Sequence, residues 1–172
     1  MSASPEPGGE WNPYQAGPRP ATPSPAELGV EELTTEECWR LLQERQVGRL
    51  ALNAMDGRPD LFPLNFVARD GHVFVRSAPG TKLRSIAANP AVAFEVDGSD
   101  DTSYWSVVIR GDAQRMDTDA DIEASGVLEL ISWSPTLKYD FVRLVPAEIT
   151  GRRFPRQRGG ARPEAGHQGD HL

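Results

Sequence analysis

Two Asp-Gly dipeptides, Asp56-Gly57 and Asp70-Gly71, follow one another closely, each flanked by stretches in which apolar and polar residues alternate. Asp-Gly is a turn signal between antiparallel strands, and the one at Asp70-Gly71 reads as a tight hairpin. Before the first turn stands Val47-Gly48-Arg49-Leu50-Ala51-Leu52, between the turns runs Leu61 to Ala68, and after the second comes His72-Val73-Phe74-Val75-Arg76. Three strands joined by two such turns make an antiparallel meander.

The remaining elements are short and well punctuated. Thr34 followed three residues later by Glu37 forms a capping box, and Cys38, Leu41 and Leu42 recur at helical spacing, so a first helix is expected from about Thr35 to Arg45. A second is expected from about Thr81 to Ala88, where Asn89-Pro90 forbids continuation. Ala91 to Val96 reads as a strand, and the acidic loop Asp97-Gly98-Ser99-Asp100-Asp101 leads into Tyr104 to Gln114, the longest strand candidate. Asp117 or Thr118 can cap a last helix through Ile122, Leu128 and Ile131, and Phe141 to Ile149 supplies a closing strand. Six strands, mostly joined by hairpins, with three short helices define a mainly β fold of α+β type. A small antiparallel barrel is expected rather than a parallel doubly wound sheet.

The ends of the chain differ from this middle. Residues 1–28 are rich in Pro, Gly, Ser and Ala, with Trp11 and Tyr14 as large apolar groups, and cannot offset the entropy of ordering. They are expected to form a disordered arm, residues 29–154 the folded domain, and residues 155–172 a second disordered tail. Arg152, Arg153, Arg156, Arg158 and Arg162 make the start of that last region basic. It reads as a solvated terminus or as a weak anion contact. The 172 residues are enough for one domain with a real core, and the formal net charge of -7 speaks against nucleic-acid binding. One cysteine, Cys38, excludes an internal disulfide. No apolar run approaches the roughly 20 residues needed to cross a bilayer. A soluble, cytoplasmic protein is the expectation.

Several chemistries drop out. The histidines are His72, in a predicted turn, and His167 and His171 in the tail, so neither a nucleophile-histidine pair nor a histidine metal centre is expected. The acidic loop lacks the ligand order of a calcium loop, and no glycine-rich nucleotide fingerprint follows a strand. What remains is Phe74-Val75-Arg76-Ser77-Ala78-Pro79-Gly80-Thr81-Lys82, a strand passing through a tight turn into a helix. Helix N-termini expose N–H groups with partial positive charge, Ser77 and Thr81 add hydroxyls, and Arg76 and Lys82 add full charges. A phosphate monoester would satisfy them all. The same spacing also fits an ordinary helix start with two surface cations.

From about Leu33 to Phe154 the chain resembles the FMN-binding split barrels of the pyridoxamine 5'-phosphate oxidase-like family. The likeness rests on Val47-Gly48-Arg49-Leu50-Ala51, Pro63-Leu64-Asn65-Phe66, Phe74-Val75-Arg76-Ser77 leading to Thr81-Lys82-Leu83 and Asn89-Pro90, and Trp105-Ser106-Val107-Val108 ending at Gly111. Arg143-Leu144-Val145-Pro146 and Ile149-Thr150-Gly151-Arg152-Arg153-Phe154 are similar to the closing strand of the family's smaller members.

The resemblance implies a homodimer with two FMN molecules at the subunit interface and a small-molecule substrate. By position, Arg76, Ser77, Thr81 and Lys82 would hold the phosphate. Leu64, Asn65 and Phe66 would run beside the isoalloxazine ring and offer it backbone groups. Ser106, flanked by Trp105 and Val107, would lie near the ring or ribityl chain. Trp133 would reach the partner's flavin or serve as a core residue. The Arg-Leu-His-Asp-Arg type motif that closes true pyridoxamine phosphate oxidases is replaced by Arg152-Arg153-Phe154-Pro155-Arg156, so that substrate is not expected. An FMN-dependent oxidoreductase is implied, with an F420-dependent reductase and a non-catalytic flavin or haem binder as alternatives. No residue stands out as a catalytic acid or base.

Overall fold

The computed structural model describes residues 24–26, 28–131 and 137–156. The elements run β1 (Glu31–Glu32), α1 (Thr35–Gln43), β2 (Val47–Asn53), β3 (Pro59–Arg69), β4 (His72–Ser77), α2 (Thr81–Ala88), β5 (Ala91–Ser99), β6 (Ser103–Arg115), α3 (Asp119–Ser125), one 3₁₀ turn (Val127–Glu129) and β7 (Asp140–Pro155). The capping box forms as expected: Glu37 N–H donates to Thr34 Oγ1, and Thr34 N–H donates back to Glu37 Oε2 at 2.9 Å.

All strand pairings are antiparallel, in the order β1-β7-β4-β3-β2-β5-β6, and β7 returns to pair with β6. That last pairing closes β2 to β7 into a six-stranded barrel. Alternation along each strand then decides what fills it. Leu50 and Leu52, Leu64 and Phe66, Val73 and Val75, Phe94 and Val96, and Val107 and Ile109 point inward, joined by Cys38, Leu41 and Leu42 from α1. Phe66 and Phe94 meet edge to face at 5.0 Å. A smaller cluster of Phe74, Met116 and Val127 seals the outside of β4 beneath α3 and the 3₁₀ turn.

Four differences from the sequence reading have physical causes. A seventh strand, β1, has no apolar pattern of its own and exists through tertiary pairing: Glu31 and Glu32 face Arg153 and Arg152, and Arg153 Nη1 reaches Glu31 Oε2 at 3.0 Å. The closing strand runs through Pro155, past the expected end at Ile149 and one residue into the expected tail. A bulge between Arg110 and Gly111 lets β7 continue past Pro146, which has no N–H to give the ladder. The last helix stops at Ser125 because Gly126 turns left-handed (φ 72°), so Leu128 and Ile131 lie outside it and exposed. Asp97 to Ser99 belong to β5, and the turn itself is built by Asp100, whose carboxylate accepts from Thr102 N–H and Ser103 N–H at 2.8 Å. Those bonds hold its pKa far below the usual carboxylate range.

Among the described residues no helix is long and apolar enough to cross a membrane.

Candidate functional site

The barrel opens between two neighbouring strands. β3 pairs with β2 from Pro59 to Asn65, but with β4 only from Phe66 to Arg69. Among the described residues, Pro59 to Leu64 therefore have β2 as their one strand neighbour. In an antiparallel strand alternate residues direct their N–H and C=O to opposite sides, so this stretch presents backbone donors and acceptors toward the gap. Such groups can hold the polar edge of a planar ring. The far wall of the gap is the end of β4 and the start of α2.

Ser77 ends β4 with its side chain turned inward and is 1% exposed. Its hydroxyl donates to Ala78 O at 3.0 Å and receives Lys82 Nζ at 3.4 Å. The Lys82 ammonium also lies over the Phe62 ring, 5.1 Å from its centroid. Burial first, and the charge of Lys138 second, push the Lys82 pKa down. The first turn of α2 has no side-chain cap, whereas Thr34 and Thr118 cap α1 and α3, and its N-cap Gly80 faces open space. Thr81 is exposed at that turn. An anion here would meet uncapped N–H groups, the Thr81 hydroxyl and the Lys82 ammonium.

Arg76 stands apart from this cluster. As Ser77's neighbour on a strand it points to the other face. Its Nε and Nη2 donate to Lys138 O at 3.2 and 2.9 Å, its Nη1 donates to Leu130 O at 3.4 Å, and the guanidinium lies over Phe141. Lys138 is the residue that sequence reading missed. It stands two residues before Asp140, the register partner of Ser77, and its charge acts on Lys82.

The other expected residues divide between the two faces of the sheet. Leu64 and Phe66 point into the core, and so do Trp105 and Val107. Trp105 packs flat against Gly98, with the Arg45 guanidinium 5.0 Å from its ring centroid. Asn65 and Ser106 face outward. Asn65 is buried and its Nδ2 donates to Gln46 O at 3.2 Å. Ser106 lines an open cleft of about 580 Å³ on the outer face of β6 and β7, with Val108, Thr150 and Arg152. β2 and β5 separate Asn65 from Ser106, about 14 Å at the usual strand spacing. Between them Arg49 pairs with Glu95 at 3.0 Å and with Asp97. A second cleft, of about 530 Å³, lies between Phe66, Arg69, Arg45 and Leu130. Ser77, Thr81 and Lys82 line neither cleft. Trp133 lies outside the described residues.

An antiparallel barrel of six strands split beside β3 defines the class of small split β-barrels. The profile of pyridoxamine 5'-phosphate oxidase matches residues 34–153, and the chain belongs to the pyridoxamine 5'-phosphate oxidase-like family. A Corynebacterium glutamicum protein provisionally assigned as a pyridoxamine 5'-phosphate oxidase is 41% identical with a TM-score of 0.66, covering 73% of this chain and 98% of that one. The FAD binding protein of Mycobacterium smegmatis is 40% identical with a TM-score of 0.61, covering 72% of this chain and 98% of that one. An FAD-binding protein of Mesorhizobium loti is 28% identical with a TM-score of 0.63, covering 72% and 97%. An uncharacterized Mycobacterium tuberculosis protein is 44% identical over 82 residues, 48% of this chain and 74% of that protein.

Proposed function

We propose that the protein is a flavin-nucleotide oxidoreductase that binds FMN along the split between β3 and β4. Ser77, Thr81, Lys82 and the first turn of α2 receive the phosphate, and the open backbone edge of β3 lies along the ring. The observation that carries the reading is the half-buried Lys82 ammonium, disfavoured by burial and by Lys138 yet kept at the mouth of the split. A bound phosphate compensates that charge. When bound, the flavin supplies the two-electron redox chemistry, and the protein supplies orientation and exclusion of water. The substrate is a small molecule other than pyridoxamine phosphate, in keeping with the missing histidine motif at Arg152 to Arg156.

The functional unit of this proposal is a homodimer. Ser106 and Asn65 share an outer sheet face with Ala51, Ala93 and Val108, all half-buried, and with Leu61, 59% exposed. A second copy set against this face would bring its own Ser106 to the first copy's flavin. FAD is the second reading, favoured by the M. smegmatis relative at 40% identity that is named for binding it. Absorption of the purified protein and the mass of its extracted chromophore separate FMN, FAD and deazaflavin. A flavin-free preparation that takes up neither FMN nor FAD at micromolar concentration would refute the proposal. Light scattering that gives a monomer with flavin bound would refute the dimer.

A further inference from the structure

The open stretch of β3 lacks the donors of an ordinary strand edge. Along an antiparallel strand the N–H and C=O of one residue point to the same side, and those of the next residue to the other. Phe66 N–H donates to Gln46 O at 3.1 Å, just ahead of β2, so the even-numbered residues of β3 direct their backbone groups toward β2. Pro59, Leu61 and Pro63 then direct theirs toward the gap beside β4. Pro63 fits this parity, since it sits opposite Arg49 without shifting the register, its missing donor being on the other side. Two of the three N–H groups due to the gap are therefore absent. The third is taken, because Leu61 N–H donates to Asp60 Oδ1 at 3.0 Å. Leu61 and both prolines are exposed, so water alone would have satisfied that donor. The mixed row of a strand edge is reduced here to three carbonyls, about 7 Å apart along the strand.

We propose that Pro59, Asp60 and Pro63 make the β3 side of the split an acceptor-only edge, which selects a ligand by a hydrogen-bond donor on its ring. This deepens the flavin reading above and rests on it. The polar edge of an isoalloxazine ring carries one N–H, at N3 between two carbonyls, and that N–H is the group this edge can take. A ring with acceptors alone at that place would set carbonyl against carbonyl and leave both without a donor. The same row cannot complete a ladder with an added strand, which keeps the split for a small ligand.

The test uses full-length protein and two probes, riboflavin and 3-methylriboflavin, the second carrying a methyl group in place of the ring N–H. Wild type should bind riboflavin roughly three- to tenfold more tightly, as gain of one neutral hydrogen bond does. A methyl group that merely collides would also weaken binding, so the edge is read a second way. A donor from the protein lowers the infrared stretching frequency of a ring carbonyl. Pro63→Ala changes no charge and restores one N–H to the row, so it should lower that frequency in bound riboflavin, whereas Leu61→Ala, which alters a side chain and no backbone donor, should leave it unmoved. In the flavin-free protein, Asp60→Ala should release Leu61 N–H and speed its amide exchange. Equal binding of the two probes overturns the proposal, and so does a carbonyl frequency that Pro63→Ala leaves at the wild-type value. If wild type takes up neither riboflavin nor FMN, the flavin reading falls instead. The exchange of Leu61 in Asp60→Ala then still decides whether the edge withholds its donor, and an unchanged rate overturns that too.

Discussion

Lys82→Gln tests the phosphate site most directly, because the shorter amide keeps the stem near Phe62 and removes only the charge. The ammonium has three donors, and one is aimed at Ser77 Oγ at a long 3.4 Å. The others are available to a phosphate, and one charge-assisted bond is worth about 1.5–3 kcal/mol. The dissociation constant for FMN should therefore rise roughly ten- to hundredfold, at about 1.4 kcal/mol per decade. Riboflavin should bind as before. Calorimetric titration of both ligands at one fixed ionic strength gives the ratio free of any general damage to the fold. A second reading guards the result: Lys82 is a half-buried charge whose pKa the fold pushes down, so its removal should raise the melting temperature of the flavin-free protein. Weaker FMN binding in a more stable protein cannot be ascribed to unfolding. Equal weakening of FMN and riboflavin, or no change in either, would refute the argument that Lys82 faces a phosphate.

Three further outcomes follow from single features. The Lys82 pKa is lowered, and its protonated form is the one that binds phosphate, so the preference for FMN over riboflavin should hold through neutral pH and fall at a pH below that at which a free lysine titrates. Over the same window the flavin-free protein should gain stability as pH rises, since the unfolded chain then binds more protons than the folded one. Both trends should be absent from Lys82→Gln titrated in parallel. Gly98→Ala places a methyl group against the Trp105 ring and 2.8 Å from Arg45 Nη2, and should cost about 1–3 kcal/mol with a visible shift in tryptophan emission. Thr34→Ala removes the capping box of α1 and should lower stability by about 1 kcal/mol in a urea titration, with flavin binding intact.

The parts of the fold legible in the sequence are those with local causes. The Asp-Gly turns, the Thr34 and Glu37 cap and the Asn89-Pro90 stop act within a few residues, and each element they delimit lies where expected. β1 was not legible, and the far half of β7 was legible through the family resemblance and not through its own pattern, because Glu31, Glu32 and Arg152 become strand only by facing one another. Gly126 ended α3 early through a backbone state that the apolar spacing of Leu128 and Ile131 conceals. At the site, Ser77, Thr81 and Lys82 come together because strand, turn and helix are contiguous. Arg76 reads as their companion in sequence, but alternation along β4 sends it to the opposite face, toward Leu130 and Lys138. Lys138 carries no signal of its own, since its place depends on the register of β7 against β4. Asn65 and Ser106 share a face, which period-two counting foretells, but the two strands between them are a matter of sheet order.

β7 pairs with β1, β4 and β6, and this gives the chain a particular order of assembly. The meander of β2, β3 and β4 and the hairpin of β5 and β6 can form from near neighbours. The pairing of Val73 to Ser77 with Asp140 to Leu144 must wait until α2, β5, β6 and α3 have all been made. Such non-local closure is the slow kind of step in folding. Until it happens, β4 and β6 are two open edges of the same sheet, each able to recruit a strand from another chain. Loss of β7 would therefore leave an unclosed sheet prone to polymerise rather than a smaller barrel, and the interval before that strand arrives is when a nascent molecule most needs shielding from its neighbours.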